Sequence, residues 1–120
     1  MKRILVVDDD EDIRLLYKEV LQEEGYEVEL ARGGEEALEK LGKSKPDLVT
    51  LDLKMRGMGG LEVLERIREH DKDLPVIICT AYGEYKSDLT TWASDAYVVK
   101  SSDLSDLKRV IREMLENKKA

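Results

Sequence analysis

The sequence predicts a doubly wound α/β sandwich over a single domain of residues 1–120, with a five-stranded parallel sheet of order 2-1-3-4-5 and five helices, the fourth of them short. Three observations lead there. Short apolar runs alternate with longer stretches of helical period along the whole chain. Four of those runs are apolar but for Thr50, as suits strands buried on both faces. The remaining run alternates polar with apolar residues, which suits a sheet border with one wet face. Right-handed crossovers then leave few strand orders, and order 2-1-3-4-5 puts the alternating strand at an edge.

The four buried strands are Ile4-Leu5-Val6-Val7, Leu48-Val49-Thr50-Leu51, Val76-Ile77-Ile78-Cys79 and Tyr97-Val98-Val99, and the edge strand is Glu27-Val28-Glu29-Leu30. The first helix carries Ile13, Leu16, Tyr17, Val20 and Leu21 at i, i+3, i+4, i+7 and i+8, a single apolar stripe that Gly25 terminates. Ala37, Leu38 and Leu41 mark a shorter second helix ending at Gly42. Leu61, Leu64 and Ile67, with Val63 beside them, mark the third. Residues 87–93 can form a fourth, but Thr90, Thr91 and Ser94 are weak helix formers and no long stripe supports them. The last helix carries Leu104, Leu107, Val110, Ile111, Met114 and Leu115, with Ser102 or Asp103 as its cap.

Composition narrows the function. Charged residues make up 39% of the chain, against an average of roughly 25%, so the surface is densely charged. The net charge of -7 disfavours the phosphate contacts on which nucleic-acid binding depends. The single cysteine, Cys79, sits in an apolar run and reads as a small buried side chain rather than a catalytic thiol. The apolar run before Asp8 is only four residues long, Ile4-Leu5-Val6-Val7, too short for a signal peptide or membrane span, so the cytoplasm is the expected compartment and no membrane partner is expected. Gln22 and Asn117 are the only side-chain amides, and Lys, Arg and Glu dominate, a bias found in proteins that work hot.

In open parallel sheets ligands bind beyond the carboxyl ends of the strands, near the point where the strand order reverses. Strand one ends in Asp8-Asp9-Asp10, strand three in Asp52, strand four in Thr80 and strand five in Lys100. Strands one and three are neighbours in the predicted order, so Asp8, Asp9 and Asp52 converge, and their mutual repulsion calls for a cation among them. An all-oxygen ligand set favours Mg²⁺, which needs only one or two carboxylates and keeps several waters; Mn²⁺ can substitute. A carboxylate is also a competent nucleophile toward phosphorus, and phosphoryl transfer asks mainly for positioning and charge neutralisation. Mg²⁺ and Lys100 supply the neutralisation, and the Thr80 hydroxyl can donate to a phosphoryl oxygen.

Each of these residues alone has a plainer explanation. Acids favour the positive end of a helix, which accounts for Asp10, Glu11 and Asp12 but not for Asp52. A lone Asp, Thr or Lys at a strand end is commonly a turn residue or cap. Their joint placement on four strands is what carries weight. Tyr97 by itself reads as a half-buried sheet residue. His70 lies among charged residues on a solvated helix end, with no second His or Cys to complete a metal site. Gly57-Met58-Gly59-Gly60 lacks the Gly-Lys-Ser/Thr of a P-loop and reads as backbone freedom beside Asp52. Trp92 suits either core or an exposed partner contact.

The stretches ILVVDDDEDIR, DLVTLDLKMRGMGGLEVL, VIICTAYG and AYVVKSSDLSDL together resemble the response-regulator receiver domain of two-component signalling, the stand-alone CheY-like type with a flavodoxin-like fold. The resemblance implies a phosphorelay switch in which Asp52 is the phospho-acceptor. Asp8 and Asp9 then form the acidic pair, Asp9 being the more direct Mg²⁺ ligand, and the Lys54 backbone carbonyl is a further ligand. Thr80 and Lys100 bind the phosphoryl group. Thr80 moves toward phosphorylated Asp52, Tyr97 rotates inward, and the surface of the fourth helix, fifth strand and fifth helix changes. A new dianion thereby selects between two packings that differ by little free energy. The side chains of Lys54 and Tyr82 occupy positions that tune dephosphorylation. The implied partners are a sensor histidine kinase or phosphotransfer protein and a downstream protein target.

Several positions depart from that family's pattern. Arg56 stands where Pro is common and Gly59 where Asp is common. Ser101 replaces the usual Pro after Lys100, so the Lys100–Ser101 peptide is either trans or strained. The stretch from Thr80 to Lys100 is about two residues shorter than usual and lacks the Gly normally found before Tyr97, which again points to a reduced fourth helix. Two rival readings stand beside the switch. One is a haloacid-dehalogenase-like phosphohydrolase using Asp8 of the Asp8-Asp9-Asp10 run, which leaves Asp52 without a task. The other is a degenerate receiver that only binds a partner.

Overall fold

The computed structural model describes residues 1–53, 55–80, 96–100 and 104–117. Its strands are β1 (Arg3–Val7), β2 (Glu27–Ala31), β3 (Leu48–Leu51), β4 (Val76–Thr80) and β5 (Ala96–Val99). They form one parallel sheet in the order β2-β1-β3-β4-β5, as predicted. The described helices are α1 (Glu11–Glu23), α2 (Gly34–Lys43), α3 (Gly60–His70) and α4 (Ser105–Asn117). The short helix expected over residues 87–93 lies outside the described residues, as do Trp92, Ser102 and Asp103.

Strand alternation divides the interior into two cores. Leu5, Val7, Val49, Leu51 and Ile78 face one side and pack with Val63, Leu64 and Ile67 of α3 and Ala37 of α2. Ile4, Val6, Leu48, Ile77 and Cys79 face the other and pack with Tyr17 and Leu21 of α1 and Leu107 and Ile111 of α4. Because side chains in a strand alternate with period two, each residue's core is fixed by its parity. The central strands are buried along almost their whole length, so their apolar composition is a direct consequence of position.

α1 is defined at both ends by local chemistry. The Asp10 carboxylate caps it, accepting from the Asp12 N–H at 2.9 Å and the Ile13 N–H at 3.4 Å. At the other end Gly25 has a φ of 94°. Its N–H donates to Gln22 O at 3.0 Å while Tyr26 N–H donates to Leu21 O at 3.2 Å, the paired bonds of a Schellman stop. Glu11 and Asp12 occupy the first turn, as their role at the positive helix end requires.

Three expectations need correction. Leu16 does not join the buried stripe: it is 40% exposed and Leu15 is 53% exposed, while Tyr17 and Leu21 are buried. The stripe is narrower than the i, i+3 spacing suggests, because the contact face is centred on Tyr17 and Leu16 lies one step of 100° around the helix. Second, α2 does not stop at Gly42 but continues to Lys43, with the chain turning extended at Ser44 (φ -161°). Lys40 and Lys43 in its last turn favour the negative end of the helix. Third, Val98 of β5 is half-buried rather than buried on both faces, because β5 is the second border of the sheet; Tyr97 is half-buried, as its reading as a sheet residue had it. On the opposite border Val28, Glu29 and Leu30 are all half-buried, so β2 takes the edge place that its pattern predicts while its burial does not alternate residue by residue. Among the described residues no helix is long and apolar enough to cross a membrane.

Candidate functional site

The site is assembled where the strand order reverses, between β1 and β3. The sheet ladder continues one residue past both strands: Asp8 N–H donates to Ala31 O at 3.2 Å and Asp52 N–H donates to Val7 O at 3.1 Å. These bonds pin the two aspartates side by side. Both are buried, Asp8 at 2% and Asp52 at 6% exposure. Asp9 follows on the turn into α1 and is half-buried. One carboxylate oxygen from each of Asp8, Asp9 and Asp52 lies within 4.8 Å of the others.

Burying three carboxylates together is unfavourable unless cations compensate them. Lys100, just beyond β5, supplies one: its Nζ donates to Asp8 Oδ2 at 2.6 Å and stands 3.5 Å from Asp52 Oδ2. Burial alone pulls the Lys100 ammonium down. The hydrogen bond to Asp8 and the charges of Asp8 and Asp52 outweigh that and hold it above the ordinary lysine value. Asp8 Oδ1 accepts from the Asp10 N–H at 2.9 Å, so both oxygens of Asp8 are engaged. Arg14 Nη1 donates to the Asp8 carbonyl at 2.7 Å, tying the strand end to the first turn of α1. Asp9 meets a different loop: the Arg56 N–H donates to Asp9 Oδ2 at 3.0 Å, with Arg56 Nε 3.5 Å from the same oxygen.

Beneath the acids lie two groups that stay neutral. Burial pushes the Tyr17 phenol well above its ordinary range, and its coupling to Cys79 and the charges of Asp8 and Asp52 add to the effect. Burial pushes the Cys79 thiol up to about 12, which fits a structural residue rather than a nucleophile. His70 is the exposed last residue of α3 and takes no part in the site.

The donor set fits a hard divalent cation. Three converging carboxylate oxygens with no sulfur or imidazole match the preference of Mg²⁺ for oxygen and its use of few protein ligands. Asp8, Asp9 and Asp52 would hold it. The ion would supply neutralisation of phosphoryl charge.

Of the residues expected at the site, the fold brings together Asp8, Asp9, Asp52 and Lys100. Thr80 ends β4 in register with Val99, and its side chain lies outside the described residues. Tyr97 is half-buried against the α2–α3 core. Lys54, Tyr82 and Ser101, with the Lys100–Ser101 peptide, lie outside the described residues. Three contributors had gone unassigned. Arg14 and Arg56 reach the acids through contacts that have no sequence period. Gly60, the first residue of α3, donates its N–H to Leu53 O at 3.0 Å, and a Cβ there would stand 2.1 Å from the Asp52 carbonyl oxygen. The Gly-rich stretch after Asp52 was its visible signal.

A family model for the response regulator receiver domain matches residues 4–112. The chain belongs to this family. This receiver domain is 37% identical over 116 residues to sporulation initiation phosphotransferase F of Bacillus subtilis, covering 95% of this chain and 94% of that protein. In structure it is similar to the response regulator protein TrrA of Thermotoga maritima in complex with Mg²⁺-BeF. The TM-score is 0.92 and the identity 54%, with 94% of this chain and 98% of that chain covered. It is also similar to a chain in the crystal structure of histidine kinase ThkA in complex with TrrA, at TM-score 0.91 and 53% identity over 96% of this chain and 99% of that chain. Other curated relatives are longer, and the receiver domain spans between 26% and 52% of their length. Chains of both kinds, nearly all receiver and receiver with further sequence, thus share this domain.

Proposed function

We propose that residues 1–120 form one receiver domain acting as a phosphorylation switch in the cytoplasm, with Asp52 taking a phosphoryl group from a histidine kinase, a phosphotransfer protein or a small acyl phosphate. The observation that carries this reading is the convergence of three carboxylates at the reversal of the sheet, with Lys100 bridging Asp8 and Asp52. An Asp52 oxygen attacks phosphorus in line, the donor's oxygen or nitrogen leaves with the bonding electrons, and Lys100 meets charge on the equatorial oxygens; Asp8, Asp9 and Asp52 would hold a Mg²⁺ ion that would supply further neutralisation. The Lys54 carbonyl and Thr80 hydroxyl complete this set, and the side chains of Lys54 and Tyr82 tune dephosphorylation. Mn²⁺ serves in place of Mg²⁺. Both oxygens of Asp8 are engaged, by Lys100 and the Asp10 N–H, which speaks against Asp8 as the nucleophile that a phosphohydrolase would need.

The partner kinase is suggested by the TrrA–ThkA pair, and the exposed Leu15 and Leu16 offer an apolar contact on α1, the helix that follows Asp8-Asp9-Asp10. The downstream target reads β5, α4 and residues 87–93, with Thr80 and Tyr97 relaying the change. The reading is tested by incubating the protein with acetyl phosphate and Mg²⁺ and measuring intact mass. One phosphoryl increment is expected, mapping to the peptide that contains Asp52, and chelation of the metal removes it. An adduct mapping to Asp8, or formed equally after chelation, counts against it.

Lys100→Ala separates binding from response. The variant keeps all three carboxylates and is expected to bind Mg²⁺, but to show little spectral change on phosphorylation. Its stability profile should differ in alkali as well. Stabilisation from a lysine held above its ordinary value is present below that value and is lost as pH rises through the raised one, so the unmodified protein loses this part in addition to the alkaline loss that buried Tyr17 and Cys79 impose on both proteins. Equal alkaline unfolding curves, or an unchanged spectral response, would argue against this role for Lys100.

A further inference from the structure

An open cleft of about 680 Å³ borders the acidic site, lined by Asp9, Asp10, Glu11, Arg14, Arg32 and Arg56. Its three cations are placed differently. Arg14 is committed to the Asp8 carbonyl at 2.7 Å, and Arg32 pairs with Glu36 at 3.4 Å. Arg56 alone among these three sets its charge on one of the converging carboxylates, Asp9. It does so from a loop position where its side chain is 92% exposed, so the guanidinium is free to leave at little cost.

We infer that Arg56 is a built-in counter-ion that competes with the divalent cation for Asp9 and thereby lowers the affinity of the site for Mg²⁺. The inference rests on the reading of Asp8, Asp9 and Asp52 as the metal ligands. With Lys100 on Asp8 and Asp52 and Arg56 on Asp9, each of the three acids has a cation facing it in the absence of metal. A dication arriving there meets the positive charge of Arg56 at the same carboxylate. The two contacts from Arg56 are separable. The backbone N–H on Oδ2 can persist while the other oxygen of Asp9 turns to a metal, whereas the guanidinium charge opposes that metal whichever oxygen is used. Arg56 therefore acts on metal affinity through charge, and its N–H acts through orientation.

The test is calorimetric titration of Mg²⁺ into the unmodified protein, Arg56→Gln, Arg56→Lys and Asp9→Asn, with circular dichroism to confirm folding. Removing one exposed charge from the rim should tighten Mg²⁺ binding by about three- to fivefold in Arg56→Gln. Arg56→Lys should stay within about twofold of the unmodified protein, since it keeps the charge. Raising the salt to ~1 M, where the screening length falls to about 3 Å, should erase the gain. Equal or weaker Mg²⁺ binding by Arg56→Gln overturns the inference while leaving the metal site standing. Unchanged Mg²⁺ affinity with slower labelling by acetyl phosphate at saturating Mg²⁺ also overturns it, and assigns Arg56 to the phosphodonor. If the unmodified protein and Asp9→Asn alike show no Mg²⁺ binding, the metal reading falls and the inference with it.

Discussion

Asn in place of Asp52 is expected to leave no detectable phosphoryl adduct after acetyl phosphate and Mg²⁺, with the fold intact. The substitution preserves size and an oxygen acceptor but removes the anionic nucleophile, and an amide oxygen does not form a stable bond to phosphorus under these conditions. Folding should survive because the backbone bond from the residue-52 N–H to Val7 O is retained and Lys100 keeps its shorter contact, to Asp8 at 2.6 Å. One of three mutually repelling carboxylates has meanwhile been neutralised, so thermal stability should be equal or higher. Mg²⁺ affinity should fall, since one of three converging charged oxygens is gone. Intact mass and a thermal melt check both parts together. A stable adduct on the variant would move the chemistry to another residue, with Asp8 the first to examine.

Gly60→Ala should destabilise the domain by about 3 kcal/mol, the upper end of what overpacking costs. The added Cβ would stand 2.1 Å from the Asp52 carbonyl oxygen and 2.7 Å from Leu53 Cα, both backbone atoms that no rotamer change can move aside. Either α3 shifts away from the end of β3 or the backbone carrying Asp52 gives way. The first exposes Val63 and Leu64, which are fully buried; the second misplaces the acceptor. Urea unfolding measures the first effect and phosphorylation rate at saturating Mg²⁺ the second. Gly57→Ala is a useful contrast. Gly57 has open space around it, and its cost arises from a φ of 76° rather than from collision. A Gly60→Ala protein as stable as its parent would show that α3 sits less tightly on β3 than these distances require.

The strands and their order were legible because burial on both faces forces continuous apolar runs, and β3 was placed to the residue on that basis alone. The acids and Lys100 were legible for a related reason: polar residues ending apolar runs mark the one rim of a parallel sheet where ligands gather. What escaped depends on geometry that no period encodes. Leu16 shares the helical spacing of a core residue but lies just off the contact face, and the width of that face is set by the sheet beneath it. Arg56 reaches Asp9 across 47 positions of sequence, and only the conformation of the loop after Asp52 brings them together. Gly60 was visible as one of several glycines, yet its need for a missing side chain exists only because the first turn of α3 lands on the end of β3.

The division of the sheet into two parities has a consequence for how this chain can change over time. Ile4 and Val6 face the α1–α4 core, and Asp8 lies two positions beyond Val6; Asp52 likewise lies four positions beyond Leu48, so both offsets are even. Inserting or deleting one residue within β1 or β3 would exchange every side chain between the two cores and carry an aspartate to the wrong layer at the same stroke. Loops such as that between α2 and β3 carry no such parity. Length variation in descendants of this sequence should therefore collect in the loops, while the strands that lead to Asp8 and Asp52 vary by substitution alone.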